Sequence, residues 1–148
     1  MNQDDAQKRR QLISLLAENG RPYPLAAYDL VLETVKLLTR HLTEAGKSGP
    51  ELHLSGALLA NGLRDCLLNR YGCLTKDVLD AWRIHSTADF GTIVYDLIEV
   101  RLLQANSHDD ISDFDDVYDF DQAFVLPFIP KDKPDSFPVI APLDSPAT

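Results

Sequence analysis

The sequence predicts an all-α fold, a compact bundle of about five helices, on three observations. Through residues 5–104, apolar residues recur three and four positions apart, and no alternating run is long enough to demand a strand. Glycines, prolines and capping residues punctuate that stretch at helix-length intervals. Apolar side chains make up 45% of the 148 residues, which is enough for one core in a chain of single-domain size. Residues 1–126 are expected to form one helical domain, with a helical body at 5–104 and an acidic, aromatic segment at 105–126. Residues 127–148 read as a proline-rich extended tail.

The first helix runs from about Asp5 to Glu18, with Leu12, Ile13, Leu15 and Leu16 on one side, and stops at Asn19-Gly20. Pro24 opens the second, since a first turn tolerates proline. Tyr28, Val31, Leu32, Val35, Leu38 and Leu42 then recur at helical spacing as far as Gly46. A loop at 47–50 follows. Ser55 is the expected N-cap of a third helix, stapled by Leu54 and Leu59, with Leu58, Leu59, Gly62, Leu63, Cys66 and Leu67 as its buried stripe. Gly62 leaves room for another backbone, and Gly72 ends the helix. Thr75 is placed to cap a short fourth helix carrying Val78, Leu79 and Trp82. Ser86 and Asp89 have the spacing of a capping box for the fifth. Its stripe is Phe90, Ile93, Val94, Leu97, Ile98 and Leu102, with Asp96 and Arg101 off that stripe.

The net charge of −9 is local. Residues 1–104 carry 13 acidic and 12 basic side chains, whereas residues 105–148 carry 10 acidic residues against Lys131 and Lys133 alone. A near-neutral body with an anionic end repels phosphate backbones and attracts basic surfaces, so direct nucleic-acid binding is disfavoured and a basic protein partner is expected. The polar, acidic start and the lack of a long apolar run argue against export and membrane insertion. Cys66 and Cys73 have neither metal-site nor framework spacing and read as reduced thiols, so a cytoplasmic location is expected. No cofactor is expected.

Seven aspartates, Asp109, Asp110, Asp113, Asp115, Asp116, Asp119 and Asp121, are interleaved with Phe114, Tyr118, Phe120 and Phe124. A purely solubilising tail has no use for those rings. Phe114, Phe120 and Phe124 are expected to pack back on the body while the aspartates and Tyr118 face a partner. Prolines at 127, 130, 134, 138, 142 and 146 exclude regular helix beyond that point. Phe128, Ile129, Phe137 and Ile140 are the apolar pegs by which such a tail could lie on the body.

His53-Leu54-Ser55-Gly56, Arg64, Tyr71-Gly72, Val78 to Trp82, Ser86 to Tyr95, Asp113-Phe114, Tyr118-Asp119-Phe120 and Ala123-Phe124 form a pattern. It resembles a family of small bacterial proteins, of about this size, common in planctomycetes and verrucomicrobia. Tyr23-Pro24 and Ala27-Tyr28 fit more loosely, so the resemblance covers residues 20–125. It implies no activity, cofactor or catalytic residue.

The main functional expectation is a non-enzymatic interaction or regulatory module whose acidic surface contacts a basic partner. One alternative is a small enzyme or ligand-binding domain with a pocket near His53, Arg64 and His85. A second is an acidic nucleic-acid mimic, with carboxylates spaced like phosphates. Asp89-Phe90-Gly91 matches the kinase metal-binding triplet, but without a glycine-rich loop or catalytic loop it reads as a helix cap followed by a packed ring. The aspartate run lacks the sixth-position glycine and twelfth-position glutamate of a calcium loop, so no metal is expected.

Overall fold

Pro24 and Gly46 bracket the longest helix of the chain. In the computed structural model, which describes residues 3–130, the order is α1 (Gln3–Asn19), α2 (Leu25–Glu44), α3 (Gly56–Tyr71), α4 (Thr75–Ala81), α5 (Thr87–Glu99) and the five-residue α6 (Phe120–Phe124). Short 3-10 turns at Gly49–Leu52, Gly72–Leu74, Ile111–Phe114 and Leu126–Phe128 join or extend them. The described residues contain no strand, and five of the helices have seven or more residues, as the periodicity requires.

The helix ends follow local chemistry. Gly20 takes a left-handed φ of 60° and donates its N–H to Leu16 O, closing α1. Ser55 Oγ accepts the Leu58 N–H at 3.1 Å, and Asp89 Oδ2 accepts the Ser86 N–H at 3.2 Å, so α3 and α5 start at their expected caps. Thr75 differs. It is fully buried as the first residue of α4, and its hydroxyl donates to Gly72 O at 2.7 Å rather than capping the helix that follows.

The core joins Leu12 and Leu15 of α1, Tyr28 and Val31 of α2, Leu59, Leu63 and Leu67 of α3, Leu79 of α4, and Phe90, Ile93 and Leu97 of α5. Three members of the expected stripes differ. Ile13 and Leu58 are 51% and 40% exposed, because each sits one position off the three-and-four spacing that its neighbours keep. Gly62 admits a side chain, not a backbone: a Cβ there would lie 2.7 Å from Leu38 Cδ1.

The largest departure is Asp96, expected off the stripe and found 2% exposed in the core. Tyr28 Oη donates to its Oδ2 at 2.7 Å and Arg21 Nε to its Oδ1 at 3.2 Å. Two turns earlier on the same helix, Asp89 accepts from Tyr23 Oη at 2.5 Å and from the His85 N–H at 2.7 Å. The entry to α2 is thus tied to α5 by two tyrosine–aspartate bonds, which satisfy the buried oxygens.

Candidate functional site

The acidic segment is a fitted part of the body. After α5 the chain turns at Arg101, φ 63°, and the Ile111–Phe114 turn settles against α3 and α5 at two glycines. A Cβ on Gly56 would meet Asp113 Cβ at 2.9 Å, and one on Gly91 would meet Phe114 Cβ at 2.9 Å, so both helices present a notch that only glycine leaves open. Thr87, at the start of α5, donates to Phe114 O at 2.6 Å and accepts the Val117 N–H at 3.2 Å. One buried hydroxyl therefore holds the end of the turn and the chain three residues beyond it.

Rings complete the attachment. Phe114, Phe120 and Phe124 are buried as expected. Phe120 lies 5.7 Å from Phe90 and 5.2 Å from Phe124 between ring centroids, within the range of favourable aromatic pairs. Tyr118, expected to face a partner, turns inward. It packs on Phe120 and Phe124, donates to Ala60 O at 2.7 Å, and carries the Arg64 guanidinium 5.8 Å above its ring. Burial holds its phenol above the ordinary range.

The seven aspartates divide by what their oxygens do. Asp109 accepts the Asn106 N–H at 2.7 Å, Asp110 that of Ser112 at 3.0 Å, Asp113 that of Asp110 at 3.1 Å and Asp119 that of Gln122 at 3.0 Å. These four fix turns and the start of α6. The bond from Ser112 holds the Asp110 carboxyl below its usual range. Asp115, Asp116 and Asp121 are exposed and make no such bond among the described residues. Asp116 sits at φ 50°, at the rim of a shallow depression of about 390 Å³ that Asp119, His85 and Gln122 also line. Among the described residues, none of the seven pairs with a lysine or arginine; Asp109 meets His53 Nε2 at 3.1 Å.

His53, Arg64 and His85 do not gather into one pocket. His53 lines a cavity with Asp109, Arg64 lies on Tyr118 and Asp65, and His85 is 3.7 Å from Asp80 at the depression lined by Asp116 and Asp119. Both α3 and α5 start beside the Ile111–Phe114 turn, but the two histidines meet different carboxylates, His53 that of Asp109 and His85 that of Asp80, and line different depressions. The cavity beside His53 is instead completed by Tyr95 and Arg101, which sequence reasoning left out. Among the described residues no three histidine, cysteine or acidic side chains gather as a metal site. None of the described helices is long and apolar enough to cross a membrane.

No family model, curated protein or solved structure matches the chain. The chemistry of the site rests on its own side chains. Phe128 and Ile129, expected as pegs, are 45% and 53% exposed, and the remainder of the proline ladder, with Phe137 and Ile140, lies outside the described residues.

Proposed function

We propose that the protein is a non-enzymatic interaction module that holds a basic protein partner against the carboxylates of Asp115, Asp116, Asp119 and Asp121. The observation that carries this reading is that these carboxylates lack a lysine or arginine partner among the described residues, although the segment bearing them is locked to the body by Phe114, Phe120, Phe124 and Thr87. A charged surface held in place needs no ordering when a partner arrives, so the attraction is not offset by chain entropy. The depression lined by Asp116, Asp119 and His85 has room for a lysine or arginine side chain. Such a surface acts first on encounter rate and selectivity, and its effect falls as salt rises.

The test is affinity purification with the full chain and with Asp115→Asn, Asp116→Asn, Asp121→Asn combined, at low and high salt. The reading expects basic proteins on the unsubstituted chain, lost from the triple variant and at high salt. Recovery of the same proteins by both chains regardless of salt overturns it.

A further inference from the structure

A cavity of about 520 Å³ lies where α5 ends, between the Gly49–Leu52 and Ile111–Phe114 turns, and is separate from the Asp115–Asp121 ridge. Its size falls within the range of small-molecule sites. Leu59, Ile98 and Phe114 give it apolar surface, and Asp109, Asp110 and Asp113 line it too. Those carboxylates are held by the turn bonds already described, so their positions are set before any ligand arrives. The opposing charge is Arg101, exposed and with no side-chain ion pair or hydrogen bond among the described residues, and His53, which is charged only when protonated. The lining is net negative in either state of His53.

Tyr95 supplies an independent observation. Its ring belongs to the same lining, yet its hydroxyl is shut off from solvent with no hydrogen-bond partner among the described residues. A phenylalanine would fill the same space without that penalty, so nothing in the packing accounts for the oxygen. Burial, and then the charges of Asp109, Asp110 and Asp113, hold the phenol above its ordinary range, so it remains a neutral hydroxyl.

We infer that this cavity binds a small organic cation, a protonated amine on an apolar body, with the amine at the Asp109–Asp110–Asp113 side and the Tyr95 hydroxyl as a further acceptor. The apolar body lies on Leu59, Ile98 and Phe114. The Tyr95 oxygen, shut off from solvent in the free protein, is uncovered as the amine enters. An anion of the same shape meets three carboxylates and is excluded.

The experiment titrates the full chain, followed by NMR at near-neutral pH, with phenethylamine, phenethyl alcohol and hydrocinnamate, which share a ring and differ in charge. Phenethylamine is expected to shift cavity resonances and to bind about tenfold more tightly than the alcohol, with hydrocinnamate weakest. Asn retains turn-capping ability, so Asp110→Asn with Asp113→Asn keeps the fold and weakens the amine about tenfold. Tyr95→Phe weakens it about fivefold while leaving the melting temperature of the free protein unchanged or raised, a combination that a structural role for the hydroxyl does not produce. Equal or tighter binding of the alcohol or the anion, no cavity shift with the amine, or undiminished binding by the Tyr95→Phe variant overturns the inference. Because the ridge variant leaves these residues intact, failure here is separate from failure of the partner reading.

Discussion

Tyr28 and Asp96, 68 residues apart, form a buried bond of 2.7 Å between α2 and α5, and Arg21 meets the other oxygen of the same carboxylate. The two partners are unequal in what they leave behind. Tyr28→Phe removes one donor from a carboxylate that keeps Arg21, and is expected to cost about 1–2 kcal/mol. Asp96→Ala strands a buried phenol and a guanidinium and opens a void, at about 3 kcal/mol or more. Urea denaturation of the two variants checks that order, and a larger loss for Tyr28→Phe would contradict it.

High pH acts on the same network. Burial is the largest influence raising the phenols of Tyr23, Tyr28 and Tyr118 above 10.0, followed by the Asp89 and Asp96 carboxylates for the first two. The folded state therefore keeps protons that the unfolded chain releases from about pH 10 upward. Stability is fully present below that point and falls as pH rises through it, by up to about 1.4 kcal/mol per pH unit for each such phenol. Denaturation midpoints measured from about pH 8 to about pH 12 are expected to fall above pH 10, less steeply in Tyr28→Phe. Equal slopes in the variant and the unsubstituted chain would show that Tyr28 takes no part.

The two notches that seat the acidic segment give a sharper local test. Gly91→Ala sets a Cβ 2.9 Å from Phe114 Cβ, and Gly56→Ala sets one 3.1 Å from Asp113 O. Neither obstacle is the free end of a flexible chain, so each is expected to cost about 1–3 kcal/mol and to lift the segment. Limited proteolysis is expected to cut residues 105–126 faster in both variants. Gly20→Ala, in open space at φ 60°, lowers stability by about 1 kcal/mol without that change.

Within the segment, the rings and the hydroxyl contribute differently. Phe120→Ala empties a site among Phe90, Tyr118 and Phe124 and is expected to cost about 3–5 kcal/mol. Tyr118→Phe loses only the bond to Ala60 O, at about 1 kcal/mol. Thermal unfolding that ranked Tyr118→Phe as the more damaging change would show that the hydroxyl, rather than ring packing, holds the segment.

Helices were legible because their signals are local. Pro24, Ser55, Ser86 and Gly20 act within one turn of themselves, and the apolar stripes need only the helix period. Burial of Phe114, Phe120 and Phe124 was legible too, since rings amid aspartates have few other uses. Asp96 was not, because its reason for being buried lies in Tyr28 and Arg21 on a distant part of the chain. The roles of Gly56 and Gly91 were hidden likewise, since each reads as an ordinary helix residue until the Ile111–Phe114 turn is laid across it. Tyr118 was misplaced because ring and hydroxyl give an amphipathic side chain that suits either face, and Ala60 O decides it. The cavity escaped notice because its lining comes from stretches far apart in the chain, Gly49 to Leu59 and Val94 to Phe114, which only the fold brings together.

The central claim is that position, and not net charge, makes the acidic ridge a recognition surface. It is tested most directly by two triple variants with the same change in net charge: Asp115→Asn, Asp116→Asn, Asp121→Asn on the ridge, and Glu18→Gln, Glu44→Gln, Asp77→Asn at exposed sites elsewhere. Binding to a purified basic partner, measured by calorimetry at low salt, is expected to weaken by about tenfold or more in the ridge variant and by less than about twofold in the other. Equal weakening in the two would contradict the account.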